Sequence, residues 1–511
     1  MAFYPCAIAN CIYDALIQEN SCYACRKRFC FHHLSHPLHE CSVGEGRGTP
    51  GLIHTLAEEY EPETSQILEC LSTDMIKNEV ESLRPGHLVE NVELTNTWRD
   101  LASNYLQGQS NFHIKINFKD GISWFMRIRR RISRNYTDEP MRMNMESEVA
   151  TMNALHDVGV AVPSAFRKPS NSKIHPKLIY SYVSEIPGGP WQPFYTSIGR
   201  VHPLPDMSVN HVRSLAKWFI EMQKATFDKI GSLHHNSQTS EVEVGPAIGR
   251  YPYQSTVPYY NGPFRCSADY WLDLIDSRLR LIRERRYCRH SAEIWLYLGL
   301  LEIREIVEGC EEMRSTGPFY IKHDDDQWDH IRADESTGEV TGVIDWEWSY
   351  TTSKAEAFNS PAGYVPDLFW NGSNEGYSPR EIVLIEAYAS YDRPDLADCV
   401  KNGRKYHRLV DTLRWMQFLP LHINSMRRAF LGLPDDHPGL PEDEEKCIEV
   451  LKEKYKDVEG LKYLLAHPFD LSNASQQVKA IRPKKKSMGP KTQAKKVTEK
   501  AEEGPFGENG D

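Results

Sequence analysis

The 511-residue sequence has no surplus of positive charge: 60 Lys and Arg stand against 71 Asp and Glu, a formal net charge of -11. A general nucleic-acid-binding surface needs a basic excess, so that class of function is set aside. There is no long apolar run either. The best candidate, Ile294 to Ile303, is about half the length a membrane-spanning helix requires and is bracketed by Glu293 and Arg304. It predicts a buried helix of a large domain. The opening residues, Met1-Ala2-Phe3-Tyr4-Pro5-Cys6, lack the basic start and apolar stretch of a secretory signal. These absences lead us to expect an intracellular protein, cytoplasmic by default, with no membrane partner. No internal repeat is present.

Cysteine is scarce except at the start of the chain. Of 12 cysteines, Cys6, Cys11, Cys22, Cys25, Cys30 and Cys41 fall in the first 41 residues, and the other six are scattered singly. In a reducing compartment, clustered cysteines interleaved with histidines point to metal rather than disulfides. The spacing is Cys6-x4-Cys11-x10-Cys22-x2-Cys25-x4-Cys30-x2-His33-x5-His39-x-Cys41. Eight such positions make two closed tetrahedral sites, the geometry of structural zinc. Some 40 residues bury too little surface to fold unaided. Zinc would supply what is missing, about 10–16 kcal/mol for finger peptides.

This pattern resembles the AN-1-type zinc finger over residues 6–41. The resemblance implies interleaved sites, with Cys6, Cys11, Cys30 and His33 on one ion and Cys22, Cys25, His39 and Cys41 on the other. It also implies an interaction module with a protein partner in ubiquitin or stress pathways. His32 and His36 are further imidazoles that only the family pattern excludes.

Beyond residue 43 the composition turns ordinary: 40% hydrophobic and 11% aromatic overall, enough for a sizeable core. A Gly-rich stretch, Gly44 to Gly51, opens a flexible linker expected over 44–60. The last residues, 471–511, carry Lys484-Lys485-Lys486, Lys495-Lys496 and Glu502-Glu503 with little apolar content, and are expected to be a disordered charged tail. Arg482-Pro483-Lys484-Lys485-Lys486 within it resembles a short nuclear-import signal.

Chemistry concentrates in one segment. Phe319-Tyr320-Ile321-Lys322-His323-Asp324-Asp325-Asp326-Gln327-Trp328-Asp329-His330 enters on a strand and ends in an acidic loop, and Val343-Ile344-Asp345-Trp346-Glu347-Trp348 delivers another carboxylate after a turn. Phosphoryl transfer needs one carboxylate to orient the attacking hydroxyl and others to hold Mg²⁺ against the phosphates. A solvated acidic loop would explain Asp326 and Asp329 equally well. It explains Asp345 poorly, because a charge between Ile344 and Trp346 is costly unless paired or metal-bound.

The segment resembles the catalytic region of aminoglycoside-phosphotransferase-like kinases of fungal type, whose usual form is His-Gly-Asp, four residues, Asn, then Ile-Asp-Trp-Glu. The resemblance covers roughly residues 100–430. It implies an α+β, bilobal protein-kinase-like fold, with a small β-rich lobe over 61–183 and a larger helical lobe over 184–470. It makes Asp325 the catalytic-loop carboxylate and Asp345 the Mg²⁺ ligand. Two positions depart from it: Asp324 stands for glycine and His330 for asparagine, and an imidazole suits Mg²⁺ poorly. Asp329 or water would then substitute, a different metal would be used, or one metal position is lost.

Upstream, alternating Phe112, Ile114, Ile116 and Phe118, the turn Lys119-Asp120-Gly121 and the run from Ile122 to Ile128 predict a two-stranded hairpin. By the resemblance, its leading loop with Ser110 and Asn111 covers the phosphates of ATP and Arg127 contacts them. Glu148, on a helix beginning near Met145, would pair with Arg127, with Glu146 as competitor. Ser181, Tyr182 and Val183, within the apolar run from Leu178, match an inter-lobe hinge whose backbone meets adenine. The acceptor side would be formed by Ser360-Pro361-Ala362 and Asp367 to Trp370.

The expected function is ATP-dependent phosphorylation of a hydroxyl on a small molecule. A pseudokinase or nucleotide-binding scaffold, and an adapter acting through the finger, are the alternatives.

Overall fold

The computed structural model describes residues 63–95, 110–130, 138–190, 204–249, 260–285, 293–326, 328–415 and 418–468, together with a two-residue antiparallel pairing of Tyr4–Pro5 with Asp14–Ala15. The eight finger positions from Cys6 to Cys41, the linker at 44–60, Gly108 and the tail at 471–511 lie outside the described residues.

Alternation of apolar side chains builds the sheet that carries the site. Five strands, β1 (Val89–Val92), β2 (Asn111–Phe118), β3 (Ser123–Arg129), β4 (Ala165–Arg167) and β5 (Tyr180–Ser184), pair antiparallel in the order β1-β2-β3-β5-β4. β2 and β3 form the expected hairpin, and the turn closes through Gly121 at φ 83°, where a side chain would be strained. One face of the sheet presents Phe112, Ile114, Ile116, Trp124, Met126, Ile128, Tyr180 and Tyr182. It packs against Ile76 and Val80 of helix α1 (Thr73–Leu83).

The opposite face presents Arg127 and Arg129, because successive strand residues point to opposite sides. This face meets helix α2 (Asp138–Asp157), where Ser181 Oγ donates to the Met145 sulfur at 3.0 Å. Helix α2 begins seven residues before the Met145 start read from its apolar spacing. Asp138, Glu139 and Pro140 supply acidic and proline residues to its first turn, which favours a helix N-terminus there.

The remainder is mainly helical: α3 (Asp206–Met222), α4 (Ser267–Arg283), α5 (Glu293–Glu308), α6 (Pro379–Ser390), α7 (Pro394–Lys401), α8 (Arg404–Trp415), α9 (Pro420–Leu431), α10 (Glu444–Lys454) and α11 (Glu459–Ala466). The fold class is α+β, a sheet-containing part followed by a helical part. The apolar stretch Ile294 to Ile303 lies within α5, where Trp295, Leu298 and Leu300 join the largest core cluster with Trp271 of α4 and Leu409 of α8. Among the described residues no helix is long and apolar enough to cross a membrane.

Two short sheets frame the acidic loop. Strand β6 (Phe319–Lys322) lies between β9 (Tyr350–Thr352) and Thr226–Phe227, while β7 (Ile331–Ala333) lies between β8 (Val340–Val343) and Gly189–Pro190. The loop at 323–330 therefore runs from one sheet to the other.

Candidate functional site

Strand β6 buries Phe319, Tyr320 and Ile321 and releases the chain at Lys322. The next residues turn, and His323, Asp324 and Asp325 are all buried. Ile344 N–H donates to the His330 carbonyl at 3.0 Å just past the paired Ile331 and Val343, so the β7–β8 hairpin brings Asp345 beside the end of the acidic loop. His323 Nε2 donates to the Ile344 carbonyl at 3.0 Å. Burial, and then the neighbouring His330, hold the His323 pKa below its ordinary value, so this ring is a neutral strut between the two segments.

His330 joins the same segments from the other side. Its Nδ1 donates to the Asp325 carbonyl at 2.8 Å, and its Nε2 stands 3.4 Å from Asp345 Oδ2. Asp345 has φ 63°, a left-handed conformation that Asp adopts more readily than most non-glycine residues.

The other oxygen of Asp345 belongs to β3. Arg127 Nη2 donates to Asp345 Oδ1 at 2.5 Å, Nε to Glu148 Oε2 at 3.1 Å, and Nη1 approaches His113 Nε2 at 3.2 Å. Burial works against the Arg127 charge, but Asp345, Glu148 and Glu347 outweigh it and raise its pKa. Burial likewise pushes the Glu148 carboxyl up, to about 7, against the pull of Arg127. Glu146, the competing acid, is exposed.

Two strand positions on, Arg129 Nη1 pairs with Glu347 Oε2, and Asn111 Nδ2 reaches the same oxygen at 3.4 Å. Glu347 also lies 3.8 Å from Arg127, and the Arg129 guanidinium sits over the Trp348 ring. Three carboxylates thus enclose two guanidinium groups where sheet, helix and hairpin meet.

Asn111 opens β2, and its side chain meets Glu347 and Arg129; Ser110 beside it is buried and its carbonyl accepts from the Arg130 N–H. Ser181, Tyr182 and Val183 lie in β5, which pairs with β3 on one side and β4 on the other. Their backbone is committed to the sheet, and the Tyr182 hydroxyl turns away to Glu79 of α1.

On the far side of the acidic loop a cavity of about 220 Å³ opens. Asp324, Asp326 and Lys322 form its loop wall; Phe369 and Trp370 face them, and Asp411 and Arg414 of α8 close it. Asp324, the replacement for glycine, is held by Arg414: Nη2 lies 3.3 Å from Asp324 Oδ2 and donates to its carbonyl at 2.8 Å. Lys322 Nζ bridges Asp326 at 3.1 Å and Asn359 at 2.8 Å. Burial pushes the Asp411 carboxyl up to about 6, against Arg408 and Arg414. Of the expected acceptor-side residues, Ala362, Phe369 and Trp370 line this cavity.

Arg129, Glu347, Asn144, Lys322, Arg414 and Asp411 were not singled out from the sequence. Arg129 was within reach, since it shares the strand face of Arg127 at i+2. The others depend on contacts such as that of Asn144 Oδ1 with the Trp348 N–H, 204 residues apart, and no periodicity signals them.

Would these residues suit a nucleotide and a divalent cation? Arg127 offers a planar fork that matches phosphate, and Asp345 offers carboxylate oxygen. Among the described residues no cluster of three or more His, Cys, Asp or Glu side chains is assembled to hold a metal ion. The donor set therefore fits a cation that arrives with nucleotide phosphates and water rather than one caged by protein alone.

No family model matches the chain, and no curated protein matches it. Solved structures do. The chain is similar to an ethanolamine kinase of Plasmodium vivax (16% identity, 63% of this chain and 80% of that one, TM-score 0.36). It is also similar to a macrolide 2'-phosphotransferase of Brachybacterium faecium (15%, 72% and 100%, TM-score 0.34). A third likeness is to an amicoumacin kinase in complex with AMP-PNP and Ca²⁺ (10%, 70% and 88%, TM-score 0.29). At these identities and TM-scores none of the likenesses carries the assignment, which rests on the residues of the site.

Proposed function

We propose that the chain is an ATP-dependent phosphotransferase acting on a hydroxyl of a small molecule, with a bilobal kinase-like arrangement of 61–183 and 184–470. The observation that carries this reading is the convergence of Arg127, Glu148 and Asp345 beside a loop that bears Asp325 and borders a cavity. Arg127, steadied by Glu148, would hold the phosphates, and Asp345 would hold the divalent cation with phosphate oxygens and water. That cation supplies charge neutralisation at the transferring phosphoryl group. Asp325 would orient the acceptor hydroxyl delivered from the cavity.

Supply of ATP and a divalent cation with pooled hydroxylated metabolites, followed by ADP release, tests the proposal. An acceptor-dependent ADP signal that disappears in Asp325→Ala is the expected result. ATP binding with no consumption across all pools would favour the second reading, a nucleotide-binding scaffold. That alternative has its own observation: Asp345 Oδ1 is already held by Arg127, and His330 crowds Oδ2 at 3.4 Å.

The eight ligands from Cys6 to Cys41 add the proposal of a two-zinc, AN-1-type interaction module ahead of the phosphotransfer domain. Two zinc ions per purified chain support it; a zinc-free folded chain would exclude it.

A further inference from the structure

His330 stands where an oxygen ligand is expected, and its surroundings fit a metal ligand of a different kind. A ligating histidine nearly always donates its other ring N–H to a carbonyl or carboxylate, which fixes tautomer and ring orientation. His330 does this: Nδ1 donates to the Asp325 carbonyl at 2.8 Å, so in the neutral ring the lone pair is on Nε2. That nitrogen stands 3.4 Å from Asp345 Oδ2. Two acceptors facing each other repel unless a proton or a metal cation lies between them. Two donors on one ion at about 2.1 Å each stand no more than about 4.2 Å apart, and this pair is well inside that limit.

A third atom points the same way. Asp329 Oδ1 is buried without a hydrogen-bond partner among the described residues and lies 4.0 Å from His330 Nε2. Buried polar atoms left unpaired are few in native proteins, and an absent ion is one of their ordinary explanations. Asp345 Oδ1 is taken by Arg127, so Oδ2 is the oxygen left for an ion. The resulting donors are one imidazole nitrogen and one or two carboxylate oxygens. Mg²⁺ takes oxygen almost exclusively, whereas imidazole suits first-row transition ions.

We propose that His330 Nε2 and Asp345 Oδ2 together ligate a nitrogen-accepting divalent cation of the Mn²⁺ type, in preference to Mg²⁺, at the phosphate end of the nucleotide site. The assignment rests on the proposed nucleotide site, and Asp329 Oδ1 borders it at 4.0 Å from His330 Nε2. His330 is then the residue that sets metal choice.

The test uses the full chain with Mn²⁺, first alone and then with a non-hydrolysable ATP analogue, read by pulsed electron paramagnetic resonance for nitrogen coupling to the bound ion. Nitrogen coupling in the wild-type protein, lost in His330→Asn, is expected. In competition binding with the analogue present, His330→Asn should also shrink the ratio of Mg²⁺ to Mn²⁺ dissociation constants at least tenfold. Bound Mn²⁺ without nitrogen coupling in the wild type overturns the inference and leaves the phosphotransfer reading standing. No bound Mn²⁺ with or without the analogue overturns the inference; analogue binding with Mg²⁺ then leaves the phosphotransfer reading standing, and no analogue binding with either ion overturns both. A wild-type spectrum without nitrogen coupling is decisive by itself; should His330→Asn fail to fold, His330→Gln replaces it, and coupling that persists there overturns the inference.

Discussion

Replacing Arg129 with Met removes one of the two guanidinium groups held among Glu148, Asp345 and Glu347, and leaves Glu347 without its nearest counter-charge. The side chains of Arg129 and Glu347 are only 2% and 6% exposed, so water does little to compensate. Orphaning a charge at that depth costs about 3–5 kcal/mol. Two contacts remain to soften the loss: Asn111 Nδ2 at 3.4 Å and the Arg127 guanidinium at 3.8 Å. A hydrogen bond to a charged group contributes roughly 1.5–3 kcal/mol, and these two are long, so the expected destabilisation is about 2–4 kcal/mol.

The partner variant separates charge from packing. Arg129→Met with Glu347→Leu leaves no buried charge behind, and apolar replacement of a whole buried pair is often close to neutral. Urea unfolding followed by tryptophan fluorescence on the wild type, both single variants and the double variant gives the coupling. A coupling of roughly 0.5–3 kcal/mol is the range for residues in one charge network. A single variant that loses no more than a surface substitution, about 0.5 kcal/mol, or a strictly additive double variant, would refute the clamp.

Other expectations follow from the same geometry. Asp325→Ala should cut turnover by about 10²–10⁴, the scale for a positioned base, with nucleotide affinity little changed; equal turnover would remove Asp325 from the reaction. The Asp411 carboxyl, pushed up to about 6 by burial, binds its proton more tightly in the folded chain than in the unfolded one. Its contribution to stability is therefore full below the ordinary aspartate pKa and is lost as pH rises through about 6. Asp411→Asn should flatten the fall in thermal stability between about pH 4 and 6, and an unaltered profile would contradict this. Arg414→Ala should destabilise the acidic loop by leaving Asp324 without its cation. It should lower the melting temperature more than Lys452→Ala, an exposed pair on α10, and equal shifts would argue against the role.

Much of the frame was legible because it depends on local periodicity. The alternation from Phe112 to Phe118 and the turn at Gly121 specify the hairpin, and the pattern around Ile294 specifies a buried helix. The strand–acidic loop–strand order around Asp325 and Asp345 was legible for a similar reason: charge inside an apolar run is costly enough to stand out. The hinge was not. Tyr180–Ser184 reads as an apolar strand either way, and whether its backbone is open or paired on both sides depends on β4, a three-residue strand. Nor could the sequence show how Asp324 is tolerated, since its cation, Arg414, lies 90 residues away on α8. The left-handed turn at Asp345, and the role this gives its two oxygens, are tertiary facts of the same kind.

The most direct measurement is calorimetric titration of a non-hydrolysable ATP analogue, with divalent cation, into the wild-type chain, Arg127→Met and Asp345→Ala. Each variant is first checked for an unchanged far-ultraviolet dichroism spectrum. Saturable binding in the wild type, weakened at least tenfold in both variants, is expected. Equal binding in all three, or none in the wild type, would contradict a nucleotide site built on Arg127 and Asp345.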